Sequence, residues 1–231
     1  MTLAHPTGSL TIERRSLYDP VADQLRDMIV RGELQGGDKI RMAELAETLG
    51  VSITPLREAL KVLAEEQLIE LLPNRGARVL PYTAADADQL FDVIASLEGL
   101  AAELAAERMP NNALADLETM HAEMRGQFEA TAREPYFALN SAIHADIVRL
   151  SGNDVLIATH RRLMVRANRG RYMAIVDNTR WREAMDEHER LMQALSRRDA
   201  EAAGRLWRTH MRNTGAAVRL ALVRAAPSEI G

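Results

Sequence analysis

At 231 residues the chain has room for one or two domains. It contains no cysteine, which excludes a disulfide framework and a thiolate metal site, and only 4% aromatics, so its cores must come from Leu, Ala, Val, Ile and Met, a set that favours helices over sheets. The net charge of −4 argues against a non-specific nucleic-acid binder, and no apolar run approaches the ~18 residues of a membrane-spanning helix.

Residues 1–16 are polar and lack the apolar run of a secretion signal, so a flexible segment on a cytoplasmic protein is expected. Val21, Leu25, Met28 and Ile29 have helical spacing, which predicts a first helix over Tyr18–Arg31. Gly32 and Gly36-Gly37 then turn the chain. Leu45, Ala46 and Leu49 predict a short helix that Gly50 ends, glycine being able to take positive φ at no steric cost. A second helix starts with Ser52 or Thr54 as its cap; Pro55 fits its first turn, and Leu56, Ala59, Leu60 and Leu63 face inward. Arg57 and Lys61 share the outward face. Two strand patterns, Leu68–Leu71 and Ala77–Leu80, flank a turn at Pro73-Asn74-Arg75-Gly76.

Helix, turn, helix and hairpin, after one supporting helix, is the order of a winged helix-turn-helix, in which the second helix of the pair enters a major groove of double-stranded DNA. Residues 1–80 carry a net charge of −2, so any DNA contact must come from local placement. The basic candidates are Arg41, Arg57, Lys61, Arg75 and Arg78, with Glu58, Glu65, Glu66 and Glu70 facing elsewhere.

After Pro81-Tyr82-Thr83 everything reads as helix. Six helices are expected: Ala85–Arg108, Leu114–Ala130, Tyr136–Leu150, Asp154–Val176, Trp181–Ser196 and Ala200–Leu222, joined by short loops as in an antiparallel bundle. The expected fold is therefore mainly α: a winged domain over 17–80, a linker at 81–83, an all-helical domain over 84–225 and a tail at 226–231.

Three histidines stand out in the second half. His144 lies four residues after Asn140, so both project from one helix face. His188 lies on the next-to-last helix and His210 on the last. A bundle gathers facing side chains into one cavity, and three neutral imidazoles with one oxygen donor suit a divalent first-row metal such as zinc, nickel or manganese. Each histidine taken alone reads better as an ordinary surface or hydrogen-bonded residue; His5, His121 and His160 are left as background. Residues 161–182 hold seven Arg and one acid, Asp177. Arg162, Arg166 and Arg169 share a face that is either a pocket wall or a solvated or dimer-facing stripe, and Asn213, a turn after His210, is a further pocket candidate.

The run LRDMIVRGELQGGDKI followed by LAETLGVSITPLREALKVLAEEQLIELLPNRGARV resembles the N-terminal domain of the GntR family of bacterial transcription regulators over about sixty residues. NSAIHADIVRLSGN, EHERLMQALSRRDAEAA and RTHMRN resemble the FCD ligand-binding domain of its FadR-like branch, and the six-helix count resembles the VanR-type subgroup. The resemblance implies a homodimer on a palindromic operator. DNA contacts are expected from Arg41, Ser52, Thr54, Arg57, Arg75 and Gly76. It also implies a metal on Asn140, His144, His188 and His210 and a small-molecule effector, a carboxylate; from their placement, Arg162, Arg166 and Asn213 are the candidates to help hold it. Asn140 stands where the family more often has Asp, Ile94 where it often has an Arg, and Ile53 and Ala43 where relatives carry basic residues. A metal-dependent hydrolase or isomerase on the three histidines, with Asp146 or Glu189 as base, is the alternative; a non-DNA scaffold is a third reading.

Overall fold

In a computed structural model, residues 18–73 and 76–225 are described. The expected flexible segment, the tail, Asn74 and Arg75 lie outside them.

Helix α1 spans Tyr18–Arg31 and buries Val21, Ala22, Leu25 and Ile29. Helix α2, Met42–Leu49, ends at Gly50 in the left-handed region with φ 65°. Helix α3, Ile53–Glu65, begins after Ser52, so Ser52 rather than Thr54 takes the cap position, although its side chain makes no capping bond. Leu56, Ala59, Leu60 and Leu63 turn inward as their spacing requires. Arg26 of α1 holds Glu66 with two bonds of 2.7 Å, which locks α1 to the end of α3.

The wing has three strands, one more than the sequence suggested. Strand β1 is Lys39–Ile40, β2 is Ile69–Leu72 and β3 is Gly76–Val79, in the order β1-β3-β2, all antiparallel. Two residues carry no alternating pattern, so β1 was illegible; it forms because β3 offers Arg78 and Ala77 as partners for Lys39 and Ile40. Gly76 has φ 83°, and a Cβ there would stand 2.6 Å from the Ile40 carbonyl oxygen, so only glycine lets β1 close on the hairpin.

Six helices follow: α4 (Ala84–Arg108), α5 (Asn111–Glu129), α6 (Arg133–Leu150), α7 (Asp154–Val176), α8 (Asn178–Ser196) and α9 (Ala200–Ala225). Helices α4 and α9 pack along their length, and α5, α6, α7 and α8 complete the bundle around them. Helices α5, α6 and α8 start three residues before the expected positions. At α8 the reason is Asp177, whose carboxylate accepts from the N–H groups of Thr179 and Arg180 and so nucleates an earlier first turn. Arg180, in that first turn, is buried in the bundle.

Helix α4 opens with a reciprocal capping box: Thr83 Oγ1 accepts from Asp86 N at 3.1 Å, and Asp86 accepts from Thr83 N at 3.0 Å. The Thr83 hydroxyl also holds the Asp86 carboxyl below its usual range. Replacing Thr83 with alanine is expected to lower the stability of the bundle by about 1 kcal/mol. A depressed folded pKa adds stability above the unfolded value and loses it as pH falls through the folded one. The mutant penalty should therefore shrink in urea titrations carried below about pH 4.

Candidate functional site

On the winged domain, Ser52, Ile53, Thr54 and Arg57 all lie exposed on the first turns of α3, with Ile53 38% exposed. Most neighbouring basic residues are paired: Arg41 with Glu44 at 2.9 Å, Lys61 with Glu58 at 2.8 Å and Arg78 with Glu70 at 3.4 Å. Among the described residues Arg57 has no ion-pair partner. Of the acids expected to face away, Glu66 is bound to Arg26. Gly76 sits where the wing meets β1; Arg75 lies outside the described residues.

In the bundle, α6 carries Asn140 and His144 one turn apart, α8 supplies His188 and α9 supplies His210; all four side chains are buried. The three imidazoles offer nitrogen atoms within 4.8 Å of one another. Trp207, three residues before His210 on α9, forms the floor: its ring stacks on His210 at 4.5 Å and lies 4.3 Å from His144 and 4.7 Å from His188. The three expected histidine ligands are thus brought together by three helices, with Asn140 buried one turn before His144 on α6.

Two carboxylates, Glu98 buried and Glu187 partly buried, orient two of the rings. Glu98 of α4 accepts from His144 Nδ1 at 2.5 Å and from His160 Nε2 at 2.9 Å. Glu187 of α8 accepts from His210 Nδ1 at 2.6 Å and from Arg180 at 2.7 Å. With Nδ1 donating, the lone pair of each ring is left on Nε2. His144 Nε2, both nitrogens of His188 and Asn140 Oδ1 are buried without a hydrogen-bond partner. Buried polar atoms are rarely left this way, and together with the three clustered imidazoles they mark a place suited to a cation.

Charge states agree. Burial, with Arg171 nearby, pushes His144 down to about 3; burial also lowers His188 and His210, so at neutral pH the imidazoles are uncharged donors. Burial alone would raise Glu98, but His144 and His160 hold it well below the usual carboxylate range. Burial opposes ionisation of Glu187 too, and His210 and Arg180 bring it to about 2.

The sequence reading missed Glu98, His160, Glu187, Arg171 and Arg180. One signal was present: Glu98 falls on the inward stripe of α4 with Ile94, Ala95, Ala101, Ala102 and Ala105, and an acid on an apolar stripe needs a partner. His160 was set aside as background and is instead buried against Glu98. The expected effector residues divide. Asn213 stands at the edge of the site, donating to Glu187 at 2.6 Å. Arg162 is exposed on α7, and Arg166 points to the winged domain, donating to Gln67 at 2.9 Å and lying 3.9 Å from Asp86. Neither borders the histidine chamber: the i, i+4 spacing of Arg162 and Arg166 gave a shared face but not which neighbour each residue meets. Asp146 and Glu189 are tied to Arg149 and Arg125 rather than turned to the histidines.

A winged helix-turn-helix joined to a helical bundle around a buried polar chamber defines a two-domain, DNA-binding transcription regulator. The chain belongs to the GntR family: residues 17–79 match the model "Bacterial regulatory proteins, gntR family" and residues 89–213 match the FCD domain. It is 31% identical over 201 residues to a probable D-xylose utilization operon transcriptional repressor of Paenarthrobacter nicotinovorans, covering 82% of this chain and 85% of that protein. It is 28% identical to the transcriptional repressor GlaR of Escherichia coli, covering 81% of this chain and 89% of GlaR. The solved structure of E. coli McbR/YncC superposes with a TM-score of 0.78 at 25% identity, covering 89% of this chain and 98% of that one. The family consists of transcription regulators, not enzymes. Among the described residues no helix is long and apolar enough to cross a membrane.

Proposed function

We propose that this regulator works in the cytoplasm as a homodimeric repressor that holds a divalent metal in its bundle and releases or grips its operator in response to a small organic acid. The observation that carries the metal reading is the cluster of three histidine nitrogens within 4.8 Å of one another, with Asn140 one turn before His144 on α6 and its Oδ1 buried without a partner. Asn140, His144, His188 and His210 are the ligands; an amide oxygen and three imidazoles suit zinc, nickel or manganese. The metal would supply a Lewis-acidic position for a carboxylate oxygen. Glu98 and Glu187 hold two of the rings in register, and Trp207 excludes water from one side.

In the proposed division, residues 17–80 read DNA and residues 84–225 bind effector and dimerise. Arg41, Ser52, Thr54 and Arg57 contact the operator, with Arg75 and Gly76 at the wing, in each half of a palindrome. Repression follows the printed function of the two relatives. Helix α7 offers the connection. Its His160 meets Glu98 in the chamber, while Arg166 meets Gln67, and Arg169 donates to the Leu80 carbonyl at 3.3 Å beside the winged domain. An effector moves this equilibrium only if it prefers one placement of the winged domains over the other.

The test is elemental analysis of protein purified without added metal. Wild type is expected to carry a divalent ion, and His144→Ala combined with His188→Ala to carry none. Equal metal in both would refute the site. Removing the ion from wild type with a chelator should also lower the unfolding temperature of the bundle, since a ligand present at about 1,000 times its Kd stabilises by roughly 4 kcal/mol.

A further inference from the structure

The arginine-rich stretch of α7 leaves two side chains that neither the histidine chamber nor the DNA-reading turn uses. Arg166 and Arg169, one turn apart, line a cavity of about 340 Å³ at the seam between the winged domain and the bundle. Gln67, just after α3, faces it from the winged side, and Asp86 of α4 from the bundle. Ile29, Leu68 and Leu80 give it an apolar floor. The volume lies at the lower end for a small-molecule site.

The charges in this cavity do not cancel. Arg169 is half-buried, and it donates to the Leu80 carbonyl at 3.3 Å, a long contact for a charged donor. Its guanidinium lies 5.8 Å from the centre of the Tyr82 ring, a cation–π contact. Among the described residues no carboxylate pairs with it, and burial pushes its pKa down, as expected of a cation that has lost water without gaining a counter-ion. Arg166 donates to Gln67 at 2.9 Å and stands 3.9 Å from Asp86. That carboxylate is already engaged by the Thr83 N–H at 3.0 Å and hydroxyl at 2.6 Å. Two guanidiniums against one shared carboxylate leave the cavity positive, with forked donors from two successive turns of one helix.

We infer that this seam is a second ligand site, for a terminal phosphate group, free or carried on a short carbon skeleton, held by Arg166 and Arg169. Two guanidinium forks present more donors than one carboxylate can accept, and a phosphate has three terminal oxygens to receive them. Gln67 lies beyond the far end of α3 from Ile53, roughly 20 Å from the turn that meets the operator, so a DNA phosphate gripped by that turn does not reach the cavity. A phosphate here would tie α7 to the winged side of the seam. The site shares no residue with the metal reading and stands or falls apart from it.

Calorimetric titration of the full chain with inorganic phosphate, ethyl phosphate and acetate, at one ionic strength held with sodium chloride, tests it. At least one of the two phosphates should bind about tenfold tighter than acetate or better. Ethyl phosphate ahead of inorganic phosphate assigns an ester with its carbons on the apolar floor; the reverse order assigns the free ion. Arg169→Met and Arg166→Met should each weaken the favoured phosphate about tenfold or more, the loss of one charge-assisted contact. Arg162→Met, exposed on the same helix and outside the cavity, should bind as wild type does. Arg166→Met removes a partly exposed side chain and so serves where Arg169→Met fails to fold. Wild type stripped of metal by a chelator should bind phosphate unchanged. No preference for either phosphate over acetate, unchanged affinity in either cavity variant, or equal weakening in Arg162→Met overturns the inference. Loss of phosphate binding on chelation overturns it too, since the ion would then sit on the histidine-bound metal and the metal reading would stand.

Discussion

Replacing Arg57 with alanine is expected to reduce operator affinity by two orders of magnitude or more, which a gel shift reads as lost binding. Arg57 lies on the exposed face of α3, among the described residues without an acidic partner, while Arg41, Lys61 and Arg78 each share charge with a glutamate. A side chain with no acid to leave pays no exchange cost on meeting a phosphate or guanine edge. Loss of one such contact costs about 1–3 kcal/mol, and a palindrome loses it twice. The exposed, unpaired position also predicts that folding is untouched, with a change in stability inside about ±0.5 kcal/mol. Normal footprinting by the variant would show that α3 does not read the operator through this residue. Because the winged half carries no net positive charge, binding should depend on few contacts, and the salt slope should be shallow for a dimer of this size.

Trp207→Ala is the substitution expected to cost the bundle most. The side chain is fully buried, and its ring touches three of the four proposed metal ligands. Truncating a buried Trp costs about 3–5 kcal/mol through lost transfer energy and the cavity left behind. Its indole N–H has no partner, so removing it relieves a buried unpaired donor and places the figure near the lower end. Even so, about 3 kcal/mol is a large share of the roughly 5–15 kcal/mol that holds a domain folded. Denaturant unfolding should show a lower midpoint for the bundle while the winged domain keeps its own. A loss under about 1 kcal/mol would mean that the histidines repack into the space, and the chamber would then be softer than its stacked geometry implies.

Much of the architecture was legible in the residues. Local rules suffice where the signal is local: apolar spacing laid out α1 and α3, Gly50 ended α2, and Thr83 opened α4. Asn140, His144, His188 and His210 could be singled out because one-turn spacing and helix order constrain where side chains meet. Errors fell where a partner from elsewhere in the chain decides the outcome. The two residues of β1 become a strand only because Gly76 lets them approach β3. The helix face that holds Arg162 and Arg166 was correctly grouped, but which element it would meet was not encoded in its spacing.

By itself, then, the sequence determined the order and type of every described element except β1, the family and the identity of the histidine cluster, since these follow from periodicity, caps and motifs read along one dimension. Only the tertiary structure decided that Glu98 and His160 back His144, that Glu187 backs His210, and that Arg171 and Arg180 rather than Arg162 and Arg166 border the chamber. The physical reason is the cost of burying polar groups. Glu98, Glu187 and Arg180 find their partners on other helices, and that pairing is fixed by how α4, α6, α7, α8 and α9 pack rather than by any spacing within one of them.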